Sequence, residues 1–473
     1  MLNINDYKDA ERVFHFFEEI SKIPHTSENT KPIADYLVSF AKERSLEYYR
    51  DGADNVIIRK KATPGYENKP TVIFQGHTDM VEDKTEDAGI DMKKEGLKLY
   101  RDGDFIRARG TTLGGDDGVA IAYSLAVLDS SDIEHPAFEA LFTSDEEIGL
   151  LGATALDTSH LSGKLMINID SDVEGIFTVG CAGGLRTDMA MSVESEPCSE
   201  TLYKLSVFGL LGGHSGTEID KGRLNAIKIL IEILNECDSP RIFSLGGGNA
   251  DNAIPRNAEC VFAAKNISYI VESVLPNFLK KYKEIESGIS ITLEKSELSG
   301  AIITKEDTKR IIDAALEIPS GVYGMSKEIE GLVETSSNLG IIKANADEAV
   351  ISTSLRSSKN SEKEALKQKI REIAKKHSAT LSERGEYPAW EYKPKSYLCD
   401  VMKRVYENLY GKKPEIVTIH AGLECGIFSE KIEGLECVSI GPDNFDIHTT
   451  EEHLSISSTA RVFDYLKEVL REI

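Results

Sequence analysis

The chain is poor in cysteine and has no long apolar run, and these two shortages exclude several classes of protein. Its seven cysteines are scattered over 473 residues without a Cys-x-x-Cys pair, so neither a disulfide framework nor a thiolate zinc site is indicated. No uninterrupted apolar stretch approaches the roughly 20 residues that span a bilayer. The first residues also lack the basic and apolar regions of a signal peptide. We therefore expect a cytoplasmic protein that does not act at a membrane.

Positive charge is scarce as well. The chain has 55 Lys and Arg against 79 Asp and Glu, which gives a net charge of −24. Nucleic acids bind to basic surfaces, so this balance argues against nucleic acid and against anionic membranes as partners. With 41% hydrophobic and 28% charged residues, the composition is that of a globular protein long enough for two or three domains.

Strand-like and helical segments alternate at both ends of the chain, and a different pattern lies between them. The alternation predicts an α/β domain with a mixed sheet flanked by helices, built from residues 1–185 and 396–473. Between these parts, two rounds of strands and a helix predict an inserted, internally duplicated α+β domain of residues 186–395. The second round includes a strand near Glu328–Val333 and a helix opened by a capping box of Ser361 and Glu364.

His77 and Asp79 form the most informative pair in the sequence. They follow the apolar run 71–74, which predicts a buried strand. Because they are two residues apart, their side chains point the same way on an extended backbone. A carboxylate beside an imidazole is a common way to orient a metal ligand. Four more clusters of acidic or histidine residues follow other strand-like segments, and sites in α/β sheets gather at such strand ends.

Taken singly, each later cluster has an ordinary structural interpretation. In a Gly-rich turn, Asp116 could bridge two metals and Asp117 could instead cap the following helix, whereas the ordinary interpretation is a plain Asp-Gly turn. The acidic run 145–147 could be a solvated loop, or one glutamate could bind metal while another faces a water. Asp170 closes an apolar strand, where a carboxylate needs a partner. His448 follows a turn-rich loop just before the last helix.

Taken together, the clusters supply nitrogen and oxygen ligands without sulfur, a set that suits zinc, manganese or cobalt. A bridging carboxylate with a separate general base suits a two-metal hydrolase. A glycosidase with a carboxylate pair would explain the acidic loop, but it would leave His77 and His448 without a role.

The order of these motifs resembles the M20 family of dinuclear zinc peptidases and amidases. The resemblance spans the whole chain and is carried by His77-Thr-Asp79, Gly-Gly115-Asp116-Asp-Gly, Asp145-Glu146-Glu147, Asn-Ile-Asp170, Gly213-His214-Ser-Gly216 and Ile447-His448. Within the family, the chain is most similar to the cytosolic aminoacyl-histidine (Xaa-His) dipeptidases. The motifs of that closer similarity are Asp170-Ser-Asp-Val-Glu-Gly with Gly180-Cys181-Ala-Gly-Gly184, Asn252-Ala-Ile-Pro-Arg256, and His420-Ala-Gly-Leu-Glu424-Cys-Gly426.

The resemblance implies a zinc-peptidase-like catalytic domain that holds two divalent metal ions, with Zn²⁺ expected and Mn²⁺ or Co²⁺ as alternatives. The implied metal ligands are His77 and Asp170 for one ion, Glu147 and His448 for the other, and Asp116 as the bridge. Glu146 would be the general base, and Asp79 would orient His77. The family commonly has Asn where this chain has Asp117, which leaves two candidates for the bridging carboxylate, and we choose Asp116.

The inserted domain would be a lid that carries the other site residues. The resemblance implies that His214 stabilises the oxyanion and that Asn252 and Arg356 hold the substrate carboxylate. Arginine suits this role because its planar fork donates paired hydrogen bonds. His420 would line the substrate pocket. In isolation, His214 would be interpreted as a turn residue, and a structural role for His420 is equally open.

The implied activity is metal-dependent hydrolysis of dipeptides of the Xaa-His type, with a small peptide as the substrate and a homodimer as one option for assembly. The enzymatic alternatives are an aminotripeptidase, a broad dipeptidase and an N-acyl-amino-acid deacylase. A binding protein that has kept the fold without catalysis is a further alternative, which the presence of every ligand and of Glu146 disfavours.

Overall fold

Two compact units make up the chain in the computed structural model, which describes residues 2, 4, 6–327, 329 and 331–473. Unit 1 comprises Met1–Cys181, Tyr392–Thr418 and Leu423–Ile473, and unit 2 comprises Ala182–Glu391 and Ile419–Gly422. Glu328 and Glu330, in the strand predicted near Glu328–Val333, lie outside the described residues. Within the described ranges, no helix combines the length and apolarity that crossing a membrane would need.

The helices and strands of the two units are numbered in chain order. The helices are α1 Glu11–Ile20, α2 Lys31–Glu43, α3 Gly115–Asp129, α4 Leu151–Ala155, α5 Ala226–Asn235, α6 Ile267–Tyr269, α7 Leu275–Lys283, α8 Lys305–Glu317, α9 Asn360–Lys376, α10 Tyr397–Tyr410, α11 Glu424–Lys431 and α12 Ile456–Glu472. The strands are β1 Glu47–Arg50, β2 Val56–Lys60, β3 Val72–His77, β4 Leu99–Asp102, β5 Phe105–Ala108, β6 Phe138–Thr143, β7 Leu165–Asn168, β8 Ile176–Cys181, β9 Gly183–Ser192, β10 Ser195–Pro197, β11 Leu202–Phe208, β12 Gly213–His214, β13 Arg241–Gly247, β14 Ala253–Ile254, β15 Ala258–Ala263, β16 Ser290–Ser296, β17 Ala301–Ile303, β18 Gly321–Met325, β19 Val333–Ala344, β20 Glu348–Ser357, β21 Thr380–Tyr387, β22 Glu415–Ile419, β23 Glu436–Ser439, β24 Asn444–Phe445 and β25 His453–Ser455.

Unit 1 is built on a mixed sheet with the strand order β1-β2-β6-β3-β7-β23-β8-β22. Its central strands β6, β3, β7 and β23 run parallel, while β1, β2 and β8 pair antiparallel. Val72, Ile73 and Phe74 of β3 are fully buried, as a central parallel strand covered on both faces requires. The apolar residues of α1, α2, α3, α10 and α12 share one core with these strands. The predicted α/β class with a mixed sheet is therefore confirmed.

The parallel strands bring their carboxyl ends to one edge of the sheet. In register, His77 of β3 lies opposite Thr143 of β6, and Gln75 of β3 lies opposite Asn168 of β7. The residues that follow these strands therefore emerge side by side. This is how segments far apart in the chain, among them the acidic run 145–147, meet at one place.

Unit 2 contains an antiparallel sheet with the strand order β16-β11-β15-β13-β19-β20-β9-β21, and β18 pairs with β19. Helices α5, α8 and α9 share a buried core with it. Both predicted rounds of strands join this one sheet, and the internal duplication stays a prediction. The predicted capping box at Ser361 is wrong: α9 begins at Asn360, whose N–H donates to Glu391 Oε1 at 2.9 Å. A carboxylate distant in sequence thus takes the place of the local cap.

We expect the core of unit 1 to depend on α3, which is buried on all sides. Leu125 of α3 is 0% exposed, whereas Leu409 of α10 is 46% exposed. Leu125→Ala should lower the free energy of unfolding by about 2–5 kcal/mol through lost burial and a cavity. Leu409→Ala is the matched control and should cost less than about 1 kcal/mol. Urea unfolding followed by circular dichroism checks both, and equal losses would contradict this view of the core.

Candidate active site

The five predicted metal ligands come together in unit 1. Three overlapping sets of three side chains could each hold a metal ion. Within each set, the potential ligand atoms all lie within 4.8 Å of one another. The sets are His77, Asp116 and Asp170; then Asp116, Glu147 and His448; then His77, Glu146 and Glu147. The first two sets share Asp116 and contain all five predicted ligands. The third would use the predicted base, Glu146, as a ligand instead.

Asp116 lies between the two histidines. Its Oδ1 is 3.0 Å from His77 Nε2, and its Oδ2 is 3.2 Å from His448 Nε2. Asp170 Oδ1 lies 3.9 Å from His77 Nε2, and Glu147 Oε1 lies 2.9 Å from His448 Nε2. Asp116 therefore offers one oxygen to each half of the centre, which is the arrangement that a bridging carboxylate needs.

Buried negative charge dominates the electrostatics of this centre. Burial is the largest single influence on His77 and disfavours its protonation, yet the hydrogen bonds to Asp116 and Asp79 and the charges of the nearby carboxylates together outweigh burial, so the pKa of His77 rises well above its usual value. Hydrogen bonds to Asp116 and Glu147 raise the pKa of His448 to about 10. Burial raises the pKa of Asp170 well above its usual value. The donor set fits divalent cations, which compete with protons for the same nitrogen and oxygen atoms.

Asp79 contacts both His77 and the acidic loop. The carbonyl oxygen of Asp79 is 2.9 Å from His77 Nδ1, and its Oδ1 is 3.5 Å from the same nitrogen. The N–H groups of Glu146 and Glu147 donate to its two carboxylate oxygens at 2.9 and 3.3 Å. Asp79 thus holds His77 mainly through its main chain, while its carboxylate fixes the loop that carries Glu146.

The carboxylate of Asp117 makes different contacts from that of Asp116. Its Oδ2 accepts a hydrogen bond from the backbone N–H of His77 at 3.0 Å, and it belongs to none of the ligand sets found among the described residues. The peptide bond between Asp116 and Asp117 is cis. Asp116 and Asp117 have non-helical backbone angles at the start of α3, and the hydrogen bond described for the Asp117 carboxylate goes to the His77 N–H rather than to an N–H of this helix. The geometry favours Asp116 as the bridging carboxylate.

The predicted site residues of unit 2 also lie near one another, around Gly216. A Cβ atom built on Gly216 would be 2.9 Å from His214 Cε1, 3.2 Å from Arg356 Nε and 2.7 Å from the His420 carbonyl oxygen. Asn252 joins them through its carbonyl oxygen, which accepts from Ser215 N–H at 2.8 Å. A side chain at position 216 would therefore fill the space that these groups line.

Three residues that touch the site were not predicted from the sequence. Ser27 Oγ donates to Asp79 Oδ2 at 2.8 Å. Glu424 is fully buried, and its Oε2 accepts from Gln75 Nε2 and Thr143 Oγ1, both at 2.6 Å. Glu452 is also buried, and its carboxylate accepts from backbone N–H groups of residues 113–116. Glu424 belongs to the motif noted around His420, and Glu452 lies four residues after His448; these positions are the sequence signal for the two residues, whereas Ser27 has none.

An α/β unit whose strand ends gather two histidines and several carboxylates around one shared aspartate has an arrangement that suits a metal-dependent hydrolase. The chain belongs to peptidase family M20/M25/M40, which its residues 73–472 match. It is therefore a hydrolase that acts on peptide bonds, and the resemblance found in the sequence is confirmed. Members of this family are metallopeptidases, so metal binding is expected of the chain as well.

Two relatives match almost the whole chain. The cytosol non-specific dipeptidase of Escherichia coli (strain K12) is 34% identical over 475 residues, which covers 98% of this chain and 97% of that protein. The crystal structure of aminoacylhistidine dipeptidase from Vibrio alginolyticus is 34% identical and superposes with a TM-score of 0.91, covering 98% of this chain and 96% of that one. Aminopeptidase PepT from Bacillus cereus, at 18% identity and a TM-score of 0.58, shares the fold.

We expect His420 to make unit 2 sensitive to acid. Burial, reinforced by Arg356, lowers the pKa of His420 from 6.5 to about 4. Between these values the unfolded chain binds the proton and the folded chain does not, so the free energy of unfolding should fall as the pH is lowered through this window. The loss attributable to His420 is up to about 3 kcal/mol.

Replacing His420 with Gln should remove this part of the pH dependence. Urea unfolding of the metal-free protein between pH 7.5 and 4.5 should show a shallower decline for His420→Gln than for the wild type. His15→Gln, which changes an exposed histidine of α1, should keep the wild-type slope. A wild-type slope in His420→Gln would contradict the prediction.

Proposed function

We propose that the chain is a dipeptidase that hydrolyses aminoacyl-histidine dipeptides with the help of two divalent cations, Zn²⁺ first among them. The observation that carries the proposal is the shared position of Asp116 in two ligand sets. The names of the two relatives support dipeptides as the substrates; one is called aminoacylhistidine dipeptidase and the other non-specific dipeptidase. A broad dipeptide specificity is therefore the first alternative. A cytoplasmic location, in keeping with the name of the Escherichia coli relative, and a homodimer remain parts of the proposal.

Five side chains would hold the cations. These are His77 and Asp170, Glu147 and His448, and the bridging Asp116. When bound, the cations would polarise the scissile carbonyl and lower the pKa of the attacking water, which zinc can bring to about 7. Asp79 would keep His77 and the loop after β6 in place through the contacts described above.

Glu146 is the proposed general base. Burial raises the pKa of its carboxyl group to about 8, with Glu424 and Glu147 adding to the rise. A group whose pKa lies near the working pH can both take up and release a proton during one turnover. Glu146 would accept a proton from the attacking water and donate it to the leaving amine.

His214 is the proposed donor to the oxyanion. Its Nδ1 faces the backbone N–H groups of Gly216 and Thr217, at 3.3 and 3.2 Å. Burial, together with the charge of Arg356, lowers the pKa of His214, so the ring is neutral at pH 7. A neutral imidazole whose Nδ1 accepts hydrogen bonds carries its proton on Nε2, and this N–H would serve the oxyanion. Arg356 and Asn252 would bind the substrate carboxylate, and His420 would line the substrate pocket.

We expect Glu146→Ala to separate catalysis from metal binding. The variant should lose at least about 100-fold in kcat, because no other group takes over the proton transfer, while retaining close to two metal ions per chain. Dipeptide hydrolysis and metal analysis of the purified protein check both points. Glu433→Ala, at an exposed position, is the control.

A fully active Glu146→Ala variant would refute the base assignment. Loss of metal along with activity would instead assign Glu146 as a ligand, as the third set of side chains allows.

We expect chelation to abolish hydrolysis and added Zn²⁺, Mn²⁺ or Co²⁺ to restore it, because the proposed ligands would act only through the cations that they hold. A panel of Xaa-His dipeptides, other dipeptides, tripeptides and N-acetyl amino acids then tests the substrate class. Xaa-His dipeptides should have the highest kcat/KM. Equal values for all dipeptides would establish the broad alternative, and preference for tripeptides or acetyl compounds would reject the proposal.

A further inference from the structure

The carboxylate of Glu452 binds four consecutive backbone N–H groups. Its Oε2 accepts from Leu113 at 2.7 Å and from Gly114 at 3.0 Å. Its Oε1 accepts from Gly115 at 2.8 Å and from Asp116 at 3.3 Å. No part of the proposed mechanism uses this side chain, although it touches the residue that would bridge the cations.

The backbone conformation of this loop creates a concave site for an anion. Gly114 has a positive φ of 67°, in the left-handed region that favours glycine. Consecutive N–H groups around such a residue point to the same side and form an anion-binding nest. The loop also leads into α3, whose first N–H groups have no partner within the helix. Glu452, only 3% exposed, fills the nest with a carboxylate from the same chain.

Glu452 also connects two of the segments that carry the proposed ligands. It lies four residues after His448 in the chain, and its carboxylate lies on the loop that ends in Asp116. The side chains of the two proposed ligands on these segments are also close, since His448 Nε2 lies 3.2 Å from Asp116 Oδ2. A single side chain therefore joins their backbones directly behind the shared aspartate.

We infer that Glu452 is a positioning residue that fixes the loop of Asp116 relative to His448 and thereby sets the affinity of the centre for divalent cations. This inference rests on the proposed function, because it takes Asp116 and His448 to be ligands. Partners behind the ligands are known to tune metal sites, and losing one typically weakens metal binding by about 10- to 100-fold.

Glu452→Gln tests the inference most directly, because it keeps the shape of the side chain and changes only its charge and hydrogen bonding. One carboxylate oxygen becomes an amide nitrogen, which donates hydrogen bonds and accepts none. Whichever way the amide turns, that nitrogen faces two backbone N–H donors, either those of Leu113 and Gly114 or those of Gly115 and Asp116. The loop should then shift and move Asp116 away from its place.

Glu451→Gln is the matched control. Glu451 precedes Glu452 in the chain, but its side chain is 78% exposed and its Oε2 lies 3.8 Å from Arg107 Nη1. The same chemical change there removes the same charge without touching the nest. Any difference between the two variants therefore reports on the contacts of Glu452 rather than on net charge.

The experiment titrates metal-free protein with Zn²⁺ against a chromophoric chelator and measures the melting temperature with and without Zn²⁺. For Glu452→Gln, we expect the Kd for Zn²⁺ to rise by about 10-fold or more and the metal-induced rise in melting temperature to shrink. Glu451→Gln should match the wild type in both. Should Glu452→Gln fail to fold, Glu452→Asp, which keeps the charge but shortens the reach, should show the same weakening.

A wild-type Kd in the Glu452 variants would overturn the inference. An equal fall in melting temperature with and without Zn²⁺ would also overturn the inference. Replacing a residue that only stabilises the fold lowers the two melting temperatures by the same amount. The proposed function fails separately, if the wild-type chain binds no pair of cations or hydrolyses no dipeptide. Wild-type binding of two ions with no effect of Glu452→Gln would reject the inference alone.

Discussion

Buried like charge is the constraint on which the rest of unit 1 depends. Asp116, Glu147 and Asp170 converge within a few ångströms, where carboxylates lose their hydration and repel one another. Such a cluster persists only if positive charge or hydrogen-bond donors offset both costs. In the absence of cations, the carboxylates favour the protonated forms of His77 and His448, whose pKa values they raise. Divalent cations bound by the same atoms would supply more charge in less space.

Backbone N–H groups offset the charge of the carboxylates that stand behind the ligands. The carboxylate of Asp79 accepts hydrogen bonds from N–H groups of the loop after β6, and that of Asp117 accepts from the N–H of His77. The carboxylate of Glu452 accepts from the N–H groups of residues 113–116. Each bond stabilises a buried carboxylate and, at the same time, fixes the segment that donates. These acidic side chains thus organise the loops that carry the proposed ligands, and the carboxylates of Asp116, Glu147 and Asp170 would be left to face the cations.

The sequence predicts those features of this centre that depend on residues adjacent in the chain. A polar residue that closes an apolar strand is a local signal, and it pointed to His77 and Asp170 before the strands were paired; their roles as ligands stay predictions. Glu424 and Glu452 could not be assigned in this way. Their partners lie 349 and 339 residues away in the chain, so only the folded register brings them together. The capping box at Ser361 failed for the same reason, because a distant carboxylate serves α9 instead.

The electrostatics of unit 2 are the reverse of those of unit 1. Arg356 is a permanent cation, whereas burial and the charge of Arg356 lower the pKa values of His214 and His420, so both rings are neutral near pH 7. Among the predicted residues around Gly216, Arg356 therefore carries the positive charge and the two rings are neutral, while the nearby carboxylate of Glu218 is paired with Lys221 and Arg223. That balance suits one carboxylate, which a dipeptide presents at its C-terminus, and it disfavours a phosphate, whose second charge would need another cation. Under the proposed function, the charges of unit 2 would thus favour a substrate with a free carboxylate at one end.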